Sequence, residues 1–482
     1  MAAGQGPRRE RAANGTAPSA RPAVFVDLDR TLLRGASGPV LGRALREVGL
    51  LEGPGLPGEG LLYAAYDLLG ESLATIGLVR LAALRTRGWP EAEVLRAGEL
   101  AAPTLAGMVQ PYAPAALAAH RAAGRQLVLA TTSPEQLVRP LARLLDFDDV
   151  VATRYQVAEG RLTGGLDGEL VWGLGKWRAV AAWARARGVD LRTCWAYSDA
   201  VFDAPLLGAV GNPRVVHPDP RLRLLARAVG WPEEPWDRPP GVLKLGPFEL
   251  ADLLRPVLRP EAFPYARFVL EGLERVPGEG PVLLAANHRS YFDVVALALV
   301  VARLGRPARF LAKQELFDAP LVGPLARALG GIPVDRRGDP AAALEPARRA
   351  LEAGEIVVVT PQGTIPRGRA FYDPVLRGKT GCARLAAATG APVVPVGLFG
   401  TEAVWPRSAR LPRVTQVLDP PLVQVRVGRP LRLAAEARRD PEAATARLMA
   451  AISRLLPPEA RQGREPTPEE VALATPPGRA SA

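Results

Sequence analysis

Cysteine is scarce in this sequence, and its scarcity excludes two kinds of site. The 482 residues include only Cys194 and Cys382, which lie in different halves of the chain. Two thiols so far apart in sequence cannot supply the closely spaced ligands of a metal cluster. A structural disulfide is not expected either, because disulfides belong mainly to oxidising compartments. The chain is therefore predicted to be cytosolic.

Long apolar runs are also missing. The uninterrupted apolar run VVALALVVA spans nine residues, 294–302, whereas a membrane-spanning helix needs about 20. No membrane span is predicted. Residues 1–22 carry arginines but no apolar core, so we do not expect a secretory signal there. Residues 1–22 and 461–482 are both predicted to be flexible tails.

Lysine and histidine are rare, so arginine carries most of the positive charge. The chain has a net charge of +12, and residues 236–460 hold 31 Lys/Arg against 22 Asp/Glu. A basic surface in one half predicts an anionic partner there, such as phosphates, a nucleotide cofactor or an acidic membrane surface. Nucleic acid is not expected, because zinc-finger spacing and RNA-recognition aromatic motifs are absent.

The length and an apolar fraction of 48% indicate a globular protein with two domains. A proline-rich stretch, WPEEPWDRPPG at 231–241, marks the boundary. Apolar strand-like runs alternate with helical segments in the first half, which predicts a mostly parallel sheet there, and both halves are expected to be α/β domains. The predicted domains are 23–235 and 251–460, joined by a linker at 236–250.

In the first half, polar residues come directly after the apolar runs. The predicted strand AVFVDLDRTLL carries Asp27, Asp29 and Thr31. The other candidates are Thr131 in the strand QLVLATTSP, Lys176 at the start of a helix that ends at Gly188, and Asp199 and Asp203 after the strand TCWAYSD. The carboxyl ends of parallel strands meet at one edge of a sheet, where ligands bind. We therefore expect these side chains to form one site.

The chemistry of this set is that of phosphoryl transfer. One of Asp27 and Asp29 can act as nucleophile and the other as general acid. Asp199 can complete a carboxylate site for Mg²⁺, Lys176 can neutralise a phosphoryl group and Thr131 can donate a hydrogen bond to it. The alternative for any one aspartate is a turn or helix-capping role.

On these motifs, DLDRT, ATTSP, GLGKW and YSDAVFD, the first half resembles the phosphoserine-phosphatase-like branch of the haloacid dehalogenase superfamily. The resemblance implies a Rossmann-like core with a helical cap at about 37–115. It implies that Asp27 forms a phosphoaspartyl intermediate, that Asp29 is the acid/base, and that Mg²⁺ is held by Asp27, Asp29 and Asp199, with Asp203 in support. Arg30 stands where many relatives carry a small residue.

The second half contains the motif NHRSYFD at 287–293. Ser290 is predicted to cap the helix YFDVVALALVVARLG, so Asp293 lies in its first turn. Asp293 could be a capping acid. Because His288 precedes the helix, its ring can also fold back to meet Asp293, and a histidine so held is a candidate general base. A metal site is not expected, since no second histidine or cysteine lies nearby.

Other segments of this half suit an anion. GGIPVDRR places Arg336 after a strand, and EIVVVTPQGTIPRGR runs from a buried strand into a turn with Arg367. Each segment alone could be a solvated loop. The preceding segment, FELADLLRPVLRPEAFPYARFVLEGL at 248–273, has loosely helical spacing. A core-packing helix pair is favoured there, and an interfacial membrane helix is the alternative.

These blocks, with Pro395 in APVVPVGLFGTE, resemble the glycerolipid acyltransferases that acylate lysophosphatidic acid. The resemblance implies that His288 deprotonates the acceptor hydroxyl and that Asp293 orients the ring. It implies a substrate-binding set of Arg336, Gln362, Gly363, Thr364 and Arg367, of which Arg336, Gly363 and Arg367 would hold the phosphate. Gln362 stands where glutamate is usual, and Ile365 where arginine is frequent.

The sequence therefore predicts a fusion of a Mg²⁺-dependent phosphomonoesterase with an acyltransferase. The expected substrates are a lysophospholipid and acyl-CoA or acyl carrier protein, with the protein held peripherally on the inner, anionic face of the cell membrane. Two alternatives stay open. The acceptor could be another lysolipid or a glycolipid, or the second half could be only a lipid-binding module attached to a phosphatase.

Overall fold

The computed structural model describes residues 21–51, 83–246, 248–335 and 339–477, and it confirms the predicted α/β class. The chain divides into two compact units, Met1–Asp237 and Arg238–Ala482. Each unit has a central sheet with helices packed on it. In the described part of the chain, no helix combines the length and the apolar character that crossing a bilayer requires.

A five-stranded parallel sheet forms the centre of the first unit. The strands of this unit are β1 (Ala23–Val26), β2 (Gln126–Pro134), β3 (Asp149–Thr153), β4 (Tyr155–Ala158), β5 (Arg161–Leu166), β6 (Trp195–Ser198) and β7 (Asn212–Val215). The sheet order is β3-β2-β1-β6-β7, and β4 and β5 form a separate hairpin. All four side chains of β1 are buried, as expected for a strand covered on both faces. The strand ends earlier than predicted, because the chain turns at Leu28–Leu32.

The helices of the first unit include the one that the sequence predicts to end at Gly188. They are α1 (Gly38–Glu47), α2 (Glu91–Ala106), α3 (Ala113–Ala122), α4 (Glu135–Leu144), α5 (Leu174–Arg187), α6 (Ala204–Ala209) and α7 (Pro220–Val229). Helix α5 ends at Gly188, whose φ of 66° is the left-handed conformation that glycine adopts easily. The predicted cap region contains α1 and α2, whereas residues 52–82 lie outside the described residues.

The second unit is built on a larger, mixed sheet. Its strands are β8 (Lys244–Leu245), β9 (Phe248–Glu249), β10 (Arg267–Glu271), β11 (Val282–Ala286), β12 (Ala308–Lys313), β13 (Ile332–Val334), β14 (Ile356–Val359), β15 (Val393–Phe399) and β16 (Leu422–Val427). Strands β8 and β9 form a hairpin, and the other seven take the order β10-β16-β15-β11-β14-β12-β13. Only β15 and β16 pair in the antiparallel sense among the described strands of this sheet. Strand β14, which the sequence predicts as the buried strand of EIVVVTPQGTIPRGR, lies between β11 and β12 in this sheet.

The helices of the second unit vary in length from one turn to four. They are α8 (Leu250–Leu254), α9 (Asp293–Leu304), α10 (Gln314–Asp318), α11 (Val322–Ala328), α12 (Pro340–Glu352), α13 (Gly381–Thr389), α14 (Thr401–Val404), α15 (Ala434–Arg439), α16 (Pro441–Leu455), α17 (Pro458–Arg461) and α18 (Pro468–Leu473). Helix α9 begins at Asp293, two residues later than the sequence predicts.

The helix pair predicted over 248–273 is wrong. Besides a single 3-10 turn at Pro260–Ala262, the only helix in this described segment is the five-residue α8, and the last part of the segment is strand β10, which pairs with β16 in parallel. The exposed and half-buried residues of β10 alternate, which is the period of a strand at the edge of a sheet. Three prolines between these elements, at 256, 260 and 264, prevent a continuous helix.

Parts of the predicted linker belong to the folded units. Trp236 is 1% exposed, and its ring lies 4.6 Å from that of Tyr197 in the first unit. In the second unit, Arg309 is fully buried and donates hydrogen bonds of 2.6–2.8 Å to Glu249 and Glu355. A buried arginine needs such partners, so Glu249 fixes the hairpin of β8 and β9 to the sheet.

The prediction of a flexible tail at 461–482 is wrong for its described part. Helix α18 begins with a capping box between Thr467 and Glu470. Ala474 is buried against Phe371 and Ile365, and its carbonyl accepts a hydrogen bond from the backbone of Gly368. The short, proline-bounded helix is therefore stabilised by tertiary contacts. The tail predicted at 1–22 falls almost wholly outside the described residues.

Candidate active sites

The first candidate site lies where β1 ends. Asp27 comes directly after the strand, and its backbone N–H donates to the carbonyl of Tyr197 on the neighbouring β6 at 3.0 Å. Lys176, in the first turn of α5, extends its ammonium group to Asp27 Oδ1 at 2.6 Å and to Asp203 Oδ2 at 2.6 Å. Lys176 is only 2% exposed. A buried ammonium group thus joins two carboxylates from separate parts of the chain.

Asp203, the second carboxylate beside Lys176, is itself held by a further hydrogen bond. Its Oδ2 also accepts a hydrogen bond from Ser198 Oγ at 2.7 Å. Burial raises the pKa of Asp27 to about 6, Lys176 opposes the rise, and the charges of Asp203 and Asp29 add to it. The predicted nucleophile therefore becomes ionised at a higher pH than an ordinary aspartate. A carboxylate held by a cation in a mostly dry site is suited to nucleophilic attack.

Asp29 and Thr131 are anchored by neighbouring backbone and hydroxyl groups. Asp29 Oδ1 accepts from the backbone N–H of Ser37 at 2.5 Å. Thr131 is 1% exposed, and its hydroxyl accepts from the backbone of Ser133 at 3.2 Å. The Ser133 and Ser37 hydroxyl oxygens lie 3.3 Å apart. The structure thus connects the end of β2 with the segment that comes after the DLDRT turn.

Asp199, directly after β6, is engaged by the same turn. Its Oδ1 accepts from the Thr31 hydroxyl at 3.1 Å, and its Oδ2 lies 3.3 Å from Arg30 Nε. Because β1 and β6 are neighbouring parallel strands, their carboxyl ends bring the two segments together. The pairing of Arg30 with Asp199 is not evident from the sequence, since it depends on that strand order.

The predicted magnesium site is not preformed. Carboxylate oxygens are the ligands that Mg²⁺ prefers, so the donor types of Asp27, Asp29 and Asp199 are suitable. However, no group of three or more His, Cys, Asp or Glu side chains in the described part of the chain could hold a metal ion. The three aspartates contact Lys176, the Ser37 backbone and Arg30 instead. As arranged here, these residues do not form a three-carboxylate cage.

The second candidate site begins at His288, two residues after the end of β11. His288 Nδ1 lies 2.7 Å from Asp293 Oδ2. The sequence predicts this contact, because His288 precedes the helix and Asp293 lies in its first turn. The imidazole is 20% exposed, whereas the Asp293 side chain is 1% exposed. A proton on Nδ1, donated to the carboxylate, leaves Nε2 as the acceptor that a general base requires.

Asp293 is held by four hydrogen bonds in all. Its Oδ2 also accepts from the backbone N–H groups of Arg289 at 2.7 Å and Ser290 at 2.9 Å, and its Oδ1 accepts from the Thr401 hydroxyl at 2.6 Å. The capping and orienting roles considered from the sequence are therefore combined in one carboxylate. The N-cap position of α9 is Phe292 rather than the predicted Ser290, yet the Ser290 hydroxyl accepts from the backbone N–H of Phe292 at 3.0 Å and donates to the carbonyl of Trp405 at 2.7 Å.

Gln362 contacts the backbone of His288, the candidate general base. Its Oε1 accepts a hydrogen bond from the backbone N–H of His288 at 2.6 Å. The adjacent Gly363 has a φ of 71°, a conformation that favours glycine, and its N–H donates to the carbonyl of Thr360 at 2.8 Å. An amide oxygen thus makes this contact without a negative charge. Of the other residues in the predicted substrate-binding set, Thr364 and Arg367 are exposed, and Arg336 lies outside the described residues.

Arg289 is a candidate that the sequence did not indicate. Its guanidinium pairs with Glu402 at 2.7 Å and lies 4.5 Å from the ring centre of Phe371 and 5.3 Å from that of Phe399. These residues line a cavity of about 350 Å³, which the segment containing Leu473 and Ala474 also borders. An arginine fixed between rings and a carboxylate is already ordered before a ligand binds.

Comparison with known proteins supports the family resemblance of each half of the chain. A family model described as haloacid dehalogenase-like hydrolase matches residues 24–208, and one described as acyltransferase matches residues 267–398. A probable phosphatase of Mycobacterium tuberculosis is 35% identical over 235 residues, which are 47% of this chain and 79% of that protein. A phosphoserine phosphatase of the same organism is 34% identical over 212 residues, which are 43% of this chain and 69% of that protein.

Among solved structures, the chain is similar to the 1-acyl-sn-glycerophosphate acyltransferase of Thermotoga maritima, with 25% sequence identity and a TM-score of 0.31. The matched region covers 42% of this chain and 78% of the Thermotoga chain. The two resemblances noted in the sequence are confirmed by the family matches. The chain belongs to the haloacid dehalogenase-like hydrolase family and continues into an acyltransferase domain, so that it is a fusion of two enzyme families.

Proposed function

We propose that the second unit transfers an acyl group from acyl-CoA or acyl carrier protein to lysophosphatidic acid, giving phosphatidic acid, and that the first unit is a phosphomonoesterase. The observation that carries the proposal is the 2.7 Å contact between His288 and Asp293. The buried carboxylate fixes the ring by Nδ1, which is the arrangement that a general base for an alcohol requires.

In the proposed acyl transfer, His288 Nε2 removes the proton of the acceptor hydroxyl. The oxygen attacks the thioester carbonyl, and the carbon–sulfur bond breaks as the new ester bond forms. The thiolate then takes the proton from the imidazolium, so that His288 returns to its starting state. Asp293 stabilises the transient imidazolium, because its carboxylate is buried beside Nδ1.

The acceptor's phosphate is proposed to bind at the loop after β14. Gly363 and Arg367 lie on this loop, and Arg336 comes after β13 in sequence. An arginine can bind a phosphate by two parallel hydrogen bonds. The exposure of Arg367 leaves its guanidinium accessible to a headgroup.

In the proposed phosphatase, the Asp27 carboxylate attacks the phosphorus of a phosphomonoester and Asp29 protonates the leaving oxygen. Water then hydrolyses the phosphoaspartate, and Asp29 takes up the proton that this water loses. Lys176 neutralises charge beside Asp27 at 2.6 Å. Magnesium is the expected cofactor, because the carboxylates of Asp27, Asp29 and Asp199 are of the ligand type that it prefers.

The lipid substrate and the charge of the second half together support peripheral attachment to the inner face of the cell membrane. Residues 236–460 hold 31 Lys/Arg against 22 Asp/Glu, and basic surfaces are attracted to anionic lipid. Binding to vesicles should strengthen with the anionic lipid fraction and weaken as salt rises above about 0.1 M. Equal binding to neutral and anionic vesicles would contradict this attachment.

A panel assay tests the acyl transfer. Purified protein is incubated with acyl-CoA and a series of acceptors, which includes lysophosphatidic acid, other lysophospholipids and glycolipids, and the released CoA thiol is measured. Release only with lysophosphatidic acid supports the proposal. Release with another acceptor would change the substrate, and no release with acyl-CoA or acyl carrier protein would indicate a lipid-binding module.

A further inference from the structure

The DLDRT turn places a bulky, charged residue in a conformation that such residues rarely adopt. Arg30 has a φ of 61° and a ψ of −13°, which lies in the left-handed region that glycine occupies without strain. An arginine there is unfavourable unless its surroundings hold it in place. The contacts of its side chain are therefore expected to hold it in this conformation.

Those contacts end on the aspartate that the sequence predicts as a metal ligand. Arg30 Nε lies 3.3 Å from Asp199 Oδ2, and the two side chains are 16% and 6% exposed. The next residue, Thr31, donates its hydroxyl to Asp199 Oδ1 at 3.1 Å. Two consecutive residues of one turn thus engage both oxygens of the same carboxylate.

Arg30 adds a positive charge to a site that holds several buried carboxylates. Asp27, Asp199 and Asp203 have side-chain exposures of 12%, 6% and 4%, and Lys176 forms ion pairs with the first and the last of them. A buried carboxylate without a neighbouring positive charge is costly. Arg30 supplies that charge to Asp199.

We propose that Arg30 is a tethered counter-cation of Asp199, which pairs with this carboxylate and which a divalent cation must displace in order to bind. At Asp199, the difference between the predicted magnesium ligand and the observed contacts then has a physical cause, because the guanidinium lies beside Oδ2, where a cation would bind. Arg30 acts as a positioning residue that weakens cation binding and keeps the carboxylate neutralised until the cation arrives.

The inference rests on the proposed phosphatase only in taking Asp199 as the point of cation binding, and it can be tested by binding of the metal alone. Manganese added to the full chain is monitored by the electron paramagnetic resonance signal of the free ion. Arg30→Gly, which removes the charge and suits the positive φ, should lower the dissociation constant for Mn²⁺ by about tenfold, the scale of one nearby repelling charge. Arg30→Gln, which keeps the length of the side chain without its charge, should change it in the same direction.

The matched control is Arg43→Ala, which removes the same charge from an exposed position on α1 and should leave the dissociation constant unchanged. Asp199→Asn should weaken Mn²⁺ binding and remove the effect of Arg30→Gly. Thermal unfolding verifies that each variant is folded, and Arg30→Gln decides the matter if the glycine variant is not.

Three results would overturn the inference: Arg30 variants that bind Mn²⁺ no more tightly than the natural sequence, an equal gain in Arg43→Ala, or Mn²⁺ binding that does not depend on Asp199. The phosphatase proposal has a separate outcome. If the Arg30 variants bind Mn²⁺ more tightly and the chain hydrolyses no phosphomonoester, the counter-cation stands and the proposed activity fails.

Discussion

The two candidate sites use charged side chains in opposite ways. In the first, two cations pair with aspartates that follow β1 and β6: Lys176 comes from helix α5, and Arg30 comes from the turn after β1. The second is a local pair, His288 and Asp293, whose carboxylate is satisfied by N–H and O–H donors rather than by a cation. The first site therefore depends on the order of strands, and the second on where one helix begins.

The largest expected effect separates the sites completely. Asp27→Asn should reduce phosphomonoesterase activity to background, because an amide is a poor nucleophile. The rate of CoA release should stay nearly unchanged, since each contact described for either site lies within one unit. Both activities are measured on the same preparation. A tenfold loss of CoA release, which corresponds to about 1.4 kcal/mol of coupling, would show that the sites are linked.

The reverse substitution tests the local pair. His288→Ala should lower acyl transfer by about 10²–10⁴-fold, the usual cost of removing a general base, and leave phosphomonoester hydrolysis unaffected. Measurement of CoA release under saturating donor and acceptor gives the effect on kcat. Near-normal release would exclude His288 as the base. An equal loss of both activities would indicate a folding defect instead of a catalytic one.

Features that depend on local spacing are predictable from the sequence. The strand that leads to Asp27 and the position of Lys176 in the first turn of α5 could be derived from apolar runs and helix signals, although β1 ends earlier than predicted. The contact between His288 and Asp293 could also be derived, because only the cap geometry brings residues five apart together. In each case the information lies within one element or its boundary.

Features that the sequence does not predict depend on partners far along the chain. Strand β10 has helical spacing in its neighbourhood, yet pairing with β16 determines its conformation. The helix α18 is too short and too polar to be stable alone, and the burial of Ala474, directly after it, against Phe371 cannot be read from composition. The contact from Gln362 to the backbone of His288 joins residues 74 positions apart.

That last contact gives a smaller, sharper test of how the second site is held. Gln362→Met removes the oxygen that accepts from the His288 N–H, whereas Gln362→Glu keeps an oxygen there. We expect about a tenfold lower kcat for the methionine variant, in line with about 1–3 kcal/mol for an unsatisfied buried donor. The glutamate variant should stay close to the natural rate. The opposite ranking would mean that the charge at this position, rather than the hydrogen bond, matters for acyl transfer.

The smallest expected effect is a shift in pH dependence that only the charge-rich first site should show. Asp27 must be ionised to attack phosphorus, and burial, with Lys176 opposing, raises its pKa to about 6. The phosphomonoesterase rate should therefore fall as the pH is lowered through about 6, because the protonated carboxyl is not a nucleophile. The negative charge of Asp203 contributes to that raised pKa, so Asp203→Asn should move the acidic limb of the kcat/KM profile to lower pH, even where the variant is slower overall. The same phosphomonoester is used for both proteins, so that its own ionisation affects the two profiles equally. An acidic limb that stays in place, or moves to higher pH, would mean that a group other than Asp27 controls it.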